Sequence, residues 1–106
     1  MINNNILGLI GLAMKAGKVC FGADSVEENV IKRKVKLLII SGDSSERTKN
    51  KFLHICEKYN VPVIIDGDID TLSKTIGKSN KAIIGIKDIS FAESIQKKYN
   101  GGDIIG

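Results

Sequence analysis

The sequence predicts a single α/β sandwich with helices on both faces of one small sheet, and three observations carry that prediction. Short runs rich in Ile, Val and Leu, each of strand length, recur about twenty residues apart along the 106-residue chain. Between them lie segments whose apolar residues return at the three- and four-residue spacing of a helix face. Gly, Asn, Asp or Pro punctuates the junctions, and no linker, low-complexity run or fixed-period repeat interrupts the alternation. The order is therefore αβαβαβαβα within one domain spanning 1–106.

Each element has its own warrant. Asn3, Asn4 and Asn5 suit a helix start, and Ile6, Leu7, Leu9, Ile10, Leu12, Ala13 and Met14 are apolar around most of the wheel, which predicts a buried helix ended by Gly17. Val19, Cys20 and Phe21 form a short strand closed by Gly22. Asp24 with Glu27, or Ser25 with Glu28, has the spacing of a capping box for a helix reaching about Lys34. Leu37 to Ile40 is an unbroken aliphatic run, the mark of a strand covered on both faces. Its exit loop is Ser41 to Ser45, and from Glu46 the helical recurrence of Phe52, Ile55, Cys56 and Tyr59 continues until Pro62 forbids it. Val63 to Ile65 is the third strand. Asp68 or Asp70 opens a short helix stopped by Gly77, Ala82 to Ile86 is the fourth strand, and Ser90 with Glu93 caps a helix to Tyr99. The tail is Gly101, Gly102 and a short apolar end.

Composition narrows the function classes. A domain of this size buries roughly two-thirds of its unfolded surface, and eighteen isoleucines supply a core that needs no disulfide or metal staple. Two cysteines, at 20 and 56, and the lack of a secretory leader fit a reduced, cytoplasmic protein. The longest apolar stretch, Ile6 to Met14, is far short of the ~20 residues that cross a bilayer. Fourteen lysines and two arginines against twelve acids leave a formal charge of +4, which suits a polyanionic partner.

Catalytic candidates are thin. Gly42, Asp43, Ser44 and Ser45 resemble a hydrolase serine loop, but the sole histidine, His54, is expected on the outer face of the following helix, and a helix cap explains the serines. Cys56 lies two residues from His54 on the same helix, so the pair points to different faces, and Cys20 sits in an apolar strand. Two cysteines and one histidine lack the spacing of a metal site. The Gly11 to Gly17 and Lys18 segment has glycines too widely spaced for a phosphate loop, and Val19 replaces its hydroxyl. No cofactor is expected.

Two basic features invite a nucleic-acid reading, and both have a plainer one. Lys32, Arg33, Lys34 and Lys36 follow a helix that begins with Asp24, Glu27 and Glu28, so they complement its dipole, with Glu28 and Lys32 spaced for an i,i+4 pair. Arg47, Lys51, His54 and Lys58 form a stripe opposite the apolar face of the third helix, the ordinary wet side of an amphipathic segment. More specific are the glycine-bounded loops Lys18 to Ser25, Gly42 to Ser45 and Gly77 to Lys81, expected at one edge of the sheet where α/β sites are built. Lys18, Lys78 and Lys81 with Ser25, Ser79 and Asn80 supply charge and small polar groups suited to phosphates and base edges. Phe21 is the one aromatic near them, too few for a stacking platform.

The phrases Leu9 to Lys18, Gly22, Lys36 to Thr48, Pro62-Val63, and Leu72 with Ile76-Gly77-Lys78 resemble the YlxQ-type bacterial branch of the kink-turn-binding ribosomal protein superfamily over nearly the whole chain. The resemblance implies a three-layer α/β/α sandwich around a four-stranded mixed sheet. It implies RNA binding. The expectation is a non-enzymatic, monomeric protein that binds structured, kink-turn-like RNA and is associated with ribosomal RNA, and a protein-interaction module on the same scaffold is the alternative. RNA would meet Gly22, Ala23, Asp24, Ser25 and Glu28 at the second helix, and Gly77, Lys78, Ser79, Asn80, Lys81 and Ala82 before the fourth strand. The best-characterised members carry Asn-Glu and a following Lys where this chain has Asp24, Ser25 and Glu28. Ser73 stands where glycine is usual, a change expected to matter little.

Overall fold

The computed structural model describes residues 1–101, and its elements follow the predicted order. Asn3 accepts a hydrogen bond from the Ile6 amide at 3.0 Å and so starts α1 (Asn4–Lys15), whose Ile6, Ile10 and Ala13 are fully buried. Strand β1 (Val19–Phe21) leads into α2 (Ala23–Ile31), β2 (Leu37–Ile40), α3 (Glu46–Tyr59), β3 (Val63–Ile65), α4 (Ile69–Thr75), β4 (Ile83–Ile86) and α5 (Ile89–Gly101).

The sheet order is β1-β4-β2-β3, with β4 antiparallel to both neighbours and β2 parallel to β3. Leu37 to Ile40 therefore runs through the interior of the sheet and is buried along its whole length, as its unbroken aliphatic character predicts. Alternation sends Leu37, Ile39, Ile84 and Ile86 to one face, where Ile6, Ile10, Leu72, Ile76, Ala92 and Ile95 of α1, α4 and α5 cover them. Leu38, Ile40 and Ile83 point to the other face, against Val26, Val30, Phe52 and Cys56 of α2 and α3. The result is the expected α/β/α sandwich. Gly85 sits where a Cβ would come within 2.7 Å of Cys20 Sγ and 3.1 Å of Val35, so the second core closes only over a bare backbone.

Five boundaries differ from the sequence expectation. Neither Asp24 nor Ser25 caps α2; both lie inside its first turn, and the cap is Gly22, whose carbonyl accepts from the Val26 amide at 3.0 Å with no side-chain bond. That helix ends at Ile31 rather than Lys34, because Arg33 adopts a left-handed φ of 59° and turns the chain toward β2. Ser90 does not cap α5; Asp88 does, its carboxylate accepting from the Phe91 amide at 2.9 Å, and the helix runs past Tyr99 to Gly101. Ala82 precedes β4 and is not part of it. The expectation for the tail from Gly102 onward lies outside the described residues.

Because β4 runs against β1 and β2, one edge of the sheet gathers the ends of β1, β2 and β3 with the start of β4. The loops leading into α2, α3 and α4 and out of α4 all lie there. The starts of β1, β2 and β3 and the end of β4 form the opposite edge.

Candidate nucleic-acid interface

Phe21 pairs with Ile84, and one step further the Gly22 amide donates to the Ile83 carbonyl at 3.1 Å. This pairing brings the β1–α2 turn, Gly22 to Ser25, beside the α4–β4 loop, Gly77 to Lys81. Gly22 adopts φ 86° and ψ 151°, a region open only to glycine, and thereby passes directly from strand to helix.

The α4–β4 loop is held from beneath by Ser73, a residue the sequence reading dismissed. Its hydroxyl is buried, accepts from the Lys81 amide at 2.7 Å and lies 3.2 Å from the Lys81 carbonyl as a donor. The Lys78 amide donates to the Ser73 carbonyl at 2.8 Å, and left-handed turns at Gly77 and Asn80 bring the chain around. A glycine at 73 would leave the Lys81 amide without this partner, so the Ser73 hydroxyl shapes the loop.

Above the end of β1 the loop delivers two cations. Lys78 Nζ lies 5.3 Å and Lys81 Nζ 5.6 Å from the centroid of the half-buried Phe21 ring. Each contact is worth about 0.5–1 kcal/mol and directs an otherwise mobile ammonium to a defined place. Phe21 serves as a platform for lysines, a role that arises only when β1 and β4 pair. Ser79 and Asn80 are exposed beside them.

The α2 side of the interface is acidic. Ala23, Asp24, Ser25 and Glu28 are all exposed. Glu28 is 3.4 Å from Lys32, the i,i+4 pair the spacing predicts, and Asn29 Nδ2 donates to the Ser25 carbonyl at 2.8 Å. The start of α2 thus carries two carboxylates and a hydroxyl, and the neighbouring α4–β4 loop carries two lysines.

The other candidates resolve differently. Lys18 does not join the site: it stands at the start of β1, where its carbonyl accepts from the Lys87 amide at 2.7 Å on the opposite edge of the sheet. The Gly42 to Ser45 loop lies on the correct edge, but its groups are turned to internal bonds. Ser44 Oγ donates to the Ser41 carbonyl at 2.8 Å, Ser45 Oγ accepts from the Thr48 amide as the α3 cap, and Asp43 accepts from the Ile69 amide at 3.0 Å. The basic stripe on α3 is partly committed, with Lys51 at 3.0 Å from Glu27. His54 is exposed on that helix, away from the buried Cys56. Burial raises the Cys56 thiol to about 11; burial also raises Cys20, with the Lys87 charge working against it. Neither thiol is poised as a nucleophile.

Comparison with known proteins agrees with this architecture. An RNA-binding protein YlxQ of Enterococcus faecium is 33% identical over 95 residues, covering 90% of this chain and 91% of its own length. The RNA-binding protein YlxQ of Bacillus subtilis is 31% identical over 87 residues, covering 82% and 87%. A solved protein of unknown function from Bacillus halodurans superposes with a TM-score of 0.89 at 33% identity, over 92% of this chain and 99% of that one. A Giardia lamblia 15.5kD RNA binding protein shares the fold at a TM-score of 0.75 and 20% identity, over 95% and 92%. The family model for the Ribosomal protein L7Ae/L30e/S12e/Gadd45 family matches residues 4–95, from the first turn of α1 into α5, and the chain belongs to that family as a YlxQ-type member.

Proposed function

We propose that this chain is a non-enzymatic RNA-binding protein that grips a folded, kink-turn-like RNA, with ribosomal RNA as the source, between the first turn of α2 and the α4–β4 loop. The observation that carries the reading is the pair Lys78 and Lys81 held over Phe21 beside an exposed helix start. Two ammoniums at such a place suit adjacent phosphates, and Asp24 and Ser25 on the neighbouring first turn of α2 offer acceptors to a guanine amino edge. The YlxQ relatives, whose names describe RNA-binding proteins, support the same reading.

The test is fluorescence anisotropy with a kink-turn RNA over a range of salt concentrations. Replacing Lys78 and Lys81 by alanine should weaken binding more than replacing Lys49 and Lys97, and should reduce the salt slope by about 1.4 to 1.8 for two lost phosphate contacts. Equal losses from the two pairs would overturn the localised site and leave a diffuse basic field. Binding that ignores salt would overturn the phosphate reading.

A further inference from the structure

We propose that the opposite edge of the sheet is a second phosphate-binding surface, which takes the backbone of a separate RNA segment; this rests on the RNA-binding reading above and extends it to a two-sided clamp. Gly17, Lys18, Arg33, Lys34, Lys36 and Lys87 line a shallow depression of about 340 Å³ there. Five cations and a glycine make the lining, and the basic run that looks like a helix end in sequence becomes part of a patch assembled from three places in the chain.

The sheet itself arranges three of the lysines. Val19, Ile86 and Leu37 form one rung across β1, β4 and β2. One step beyond that rung come Lys18, Lys87 and Lys36, joined by the Lys87 amide donating to the Lys18 carbonyl and the Lys36 amide donating to the Ile86 carbonyl, both at 2.7 Å. Strands lie about 4.8 Å apart, so the three side chains leave a rigid backbone as a short row, at a spacing suited to a strand of phosphates. Arg33 adds a guanidinium stacked 5.3 Å from the Tyr59 ring centroid. Lys36 Nζ reaches the Arg33 carbonyl at 3.3 Å, and none of the five cations forms an ion pair among the described residues. Asp88, next in the chain, is occupied as the α5 cap, and Glu93 lines the neighbouring depression shared with Arg33 and Lys36.

This surface cannot be reached by the phosphates that the α4–β4 loop holds. Four residues of β4 separate the two edges, about 13 Å of strand, so a protein engaged at both edges holds two RNA segments in a fixed relation. Charge complementarity selects the partner: a row of unpaired cations with no apolar centre fits a polyanion rather than a folded protein face.

The experiment is a nitrogen-15 NMR titration of the intact chain and of its Lys78→Ala, Lys81→Ala variant with a short RNA duplex, alongside poly-glutamate. The expected result is that amide signals of Gly17, Lys18, Lys36 and Lys87 shift with RNA in both proteins. Lys18→Gln, Lys36→Gln and Lys87→Gln together should abolish those shifts and reduce the salt slope by about 2 to 3, with unchanged spectral dispersion reporting an intact fold. Shifts confined to Gly22–Ser25 and Gly77–Lys81 would overturn the second surface and leave the first reading standing. Silence at both edges would overturn both. A stronger response of the far edge to poly-glutamate than to RNA would assign it to an acidic protein and overturn the proposal.

Discussion

At Gly22 a single torsion takes the chain from β1 into α2. The residue combines φ 86° with ψ 151°, and a Cβ there would meet nothing within 4 Å, so any cost of a side chain is conformational rather than steric crowding. Gly22→Ala is expected to destabilise the fold by about 1–3 kcal/mol in denaturant titration. Gly8→Ala, on an exposed stretch of α1 with equal room, should instead stabilise it by about 0.5–1 kcal/mol. Equal effects would mean that the Gly22 torsion is not under strain. The neighbouring Asp24 and Glu28 turn the start of α2 acidic, with the neutral hydroxyl of Ser25 between them. Asp24→Asn with Ser25→Glu and Glu28→Lys would restore an amide and an acceptor for a guanine edge and convert repulsion of phosphate into attraction. With each good base contact worth about 1–3 kcal/mol, calorimetry should show the triple variant binding a kink-turn RNA tens-fold or more tightly, on the order expected from those contacts. Losing Asp24 at the helix start should cost about 0.3–1 kcal/mol of stability. No gain in affinity would contradict the placing of a guanine edge and a phosphate at Asp24, Ser25 and Glu28.

Among the elements, α5 is the one whose end reaches back to the loop edge. Tyr99 Oη donates to Asp66 Oδ2 at 2.8 Å, and this bond, then the Gly67 amide and the N-terminal ammonium, hold the Asp66 carboxyl below its ordinary 3.8. A carboxyl lowered on folding contributes stability above its unfolded value and loses that contribution as the pH falls through the folded one. Tyr99→Phe should therefore cost about 1 kcal/mol at neutral pH, and the difference from the parent should shrink in unfolding curves below pH 3.8. A difference independent of pH would place its origin in packing alone. Element identity was legible because strand runs and helix periodicity are local properties, and the caps Asn3, Ser45 and Asp68 sit where their side chains can reach the next amides. The α2 and α5 caps were not. Asp24, Ser25 and Ser90 have the spacing of a capping box, but β1 pairing extends to Gly22 and β4 ends at Ile86, and those tertiary limits set where each helix begins.

For the molecule as a whole, strand direction decides which loops work together, and direction is what the sequence hides. Gly77 to Lys81 and Gly22 to Ser25 converge because β4 inserts between β1 and β2 in antiparallel sense. Lys18, only four residues before Gly22, is carried to the other edge by the length of β1. Phe21 and Ser73 were equally unreadable, since the platform needs Lys78 and Lys81 brought across from β4 and the buried hydroxyl needs a loop folded back over α4. The edge built from these two loops is the surface proposed to touch RNA. Ultraviolet crosslinking of the protein to RNA in cells, followed by mapping of the modified peptides, tests this. Adducts should appear at Phe21 to Ser25 and Gly77 to Lys81. Adducts restricted to the α3 stripe of Arg47, Lys51, His54 and Lys58, or an absence of crosslinked RNA, would contradict it.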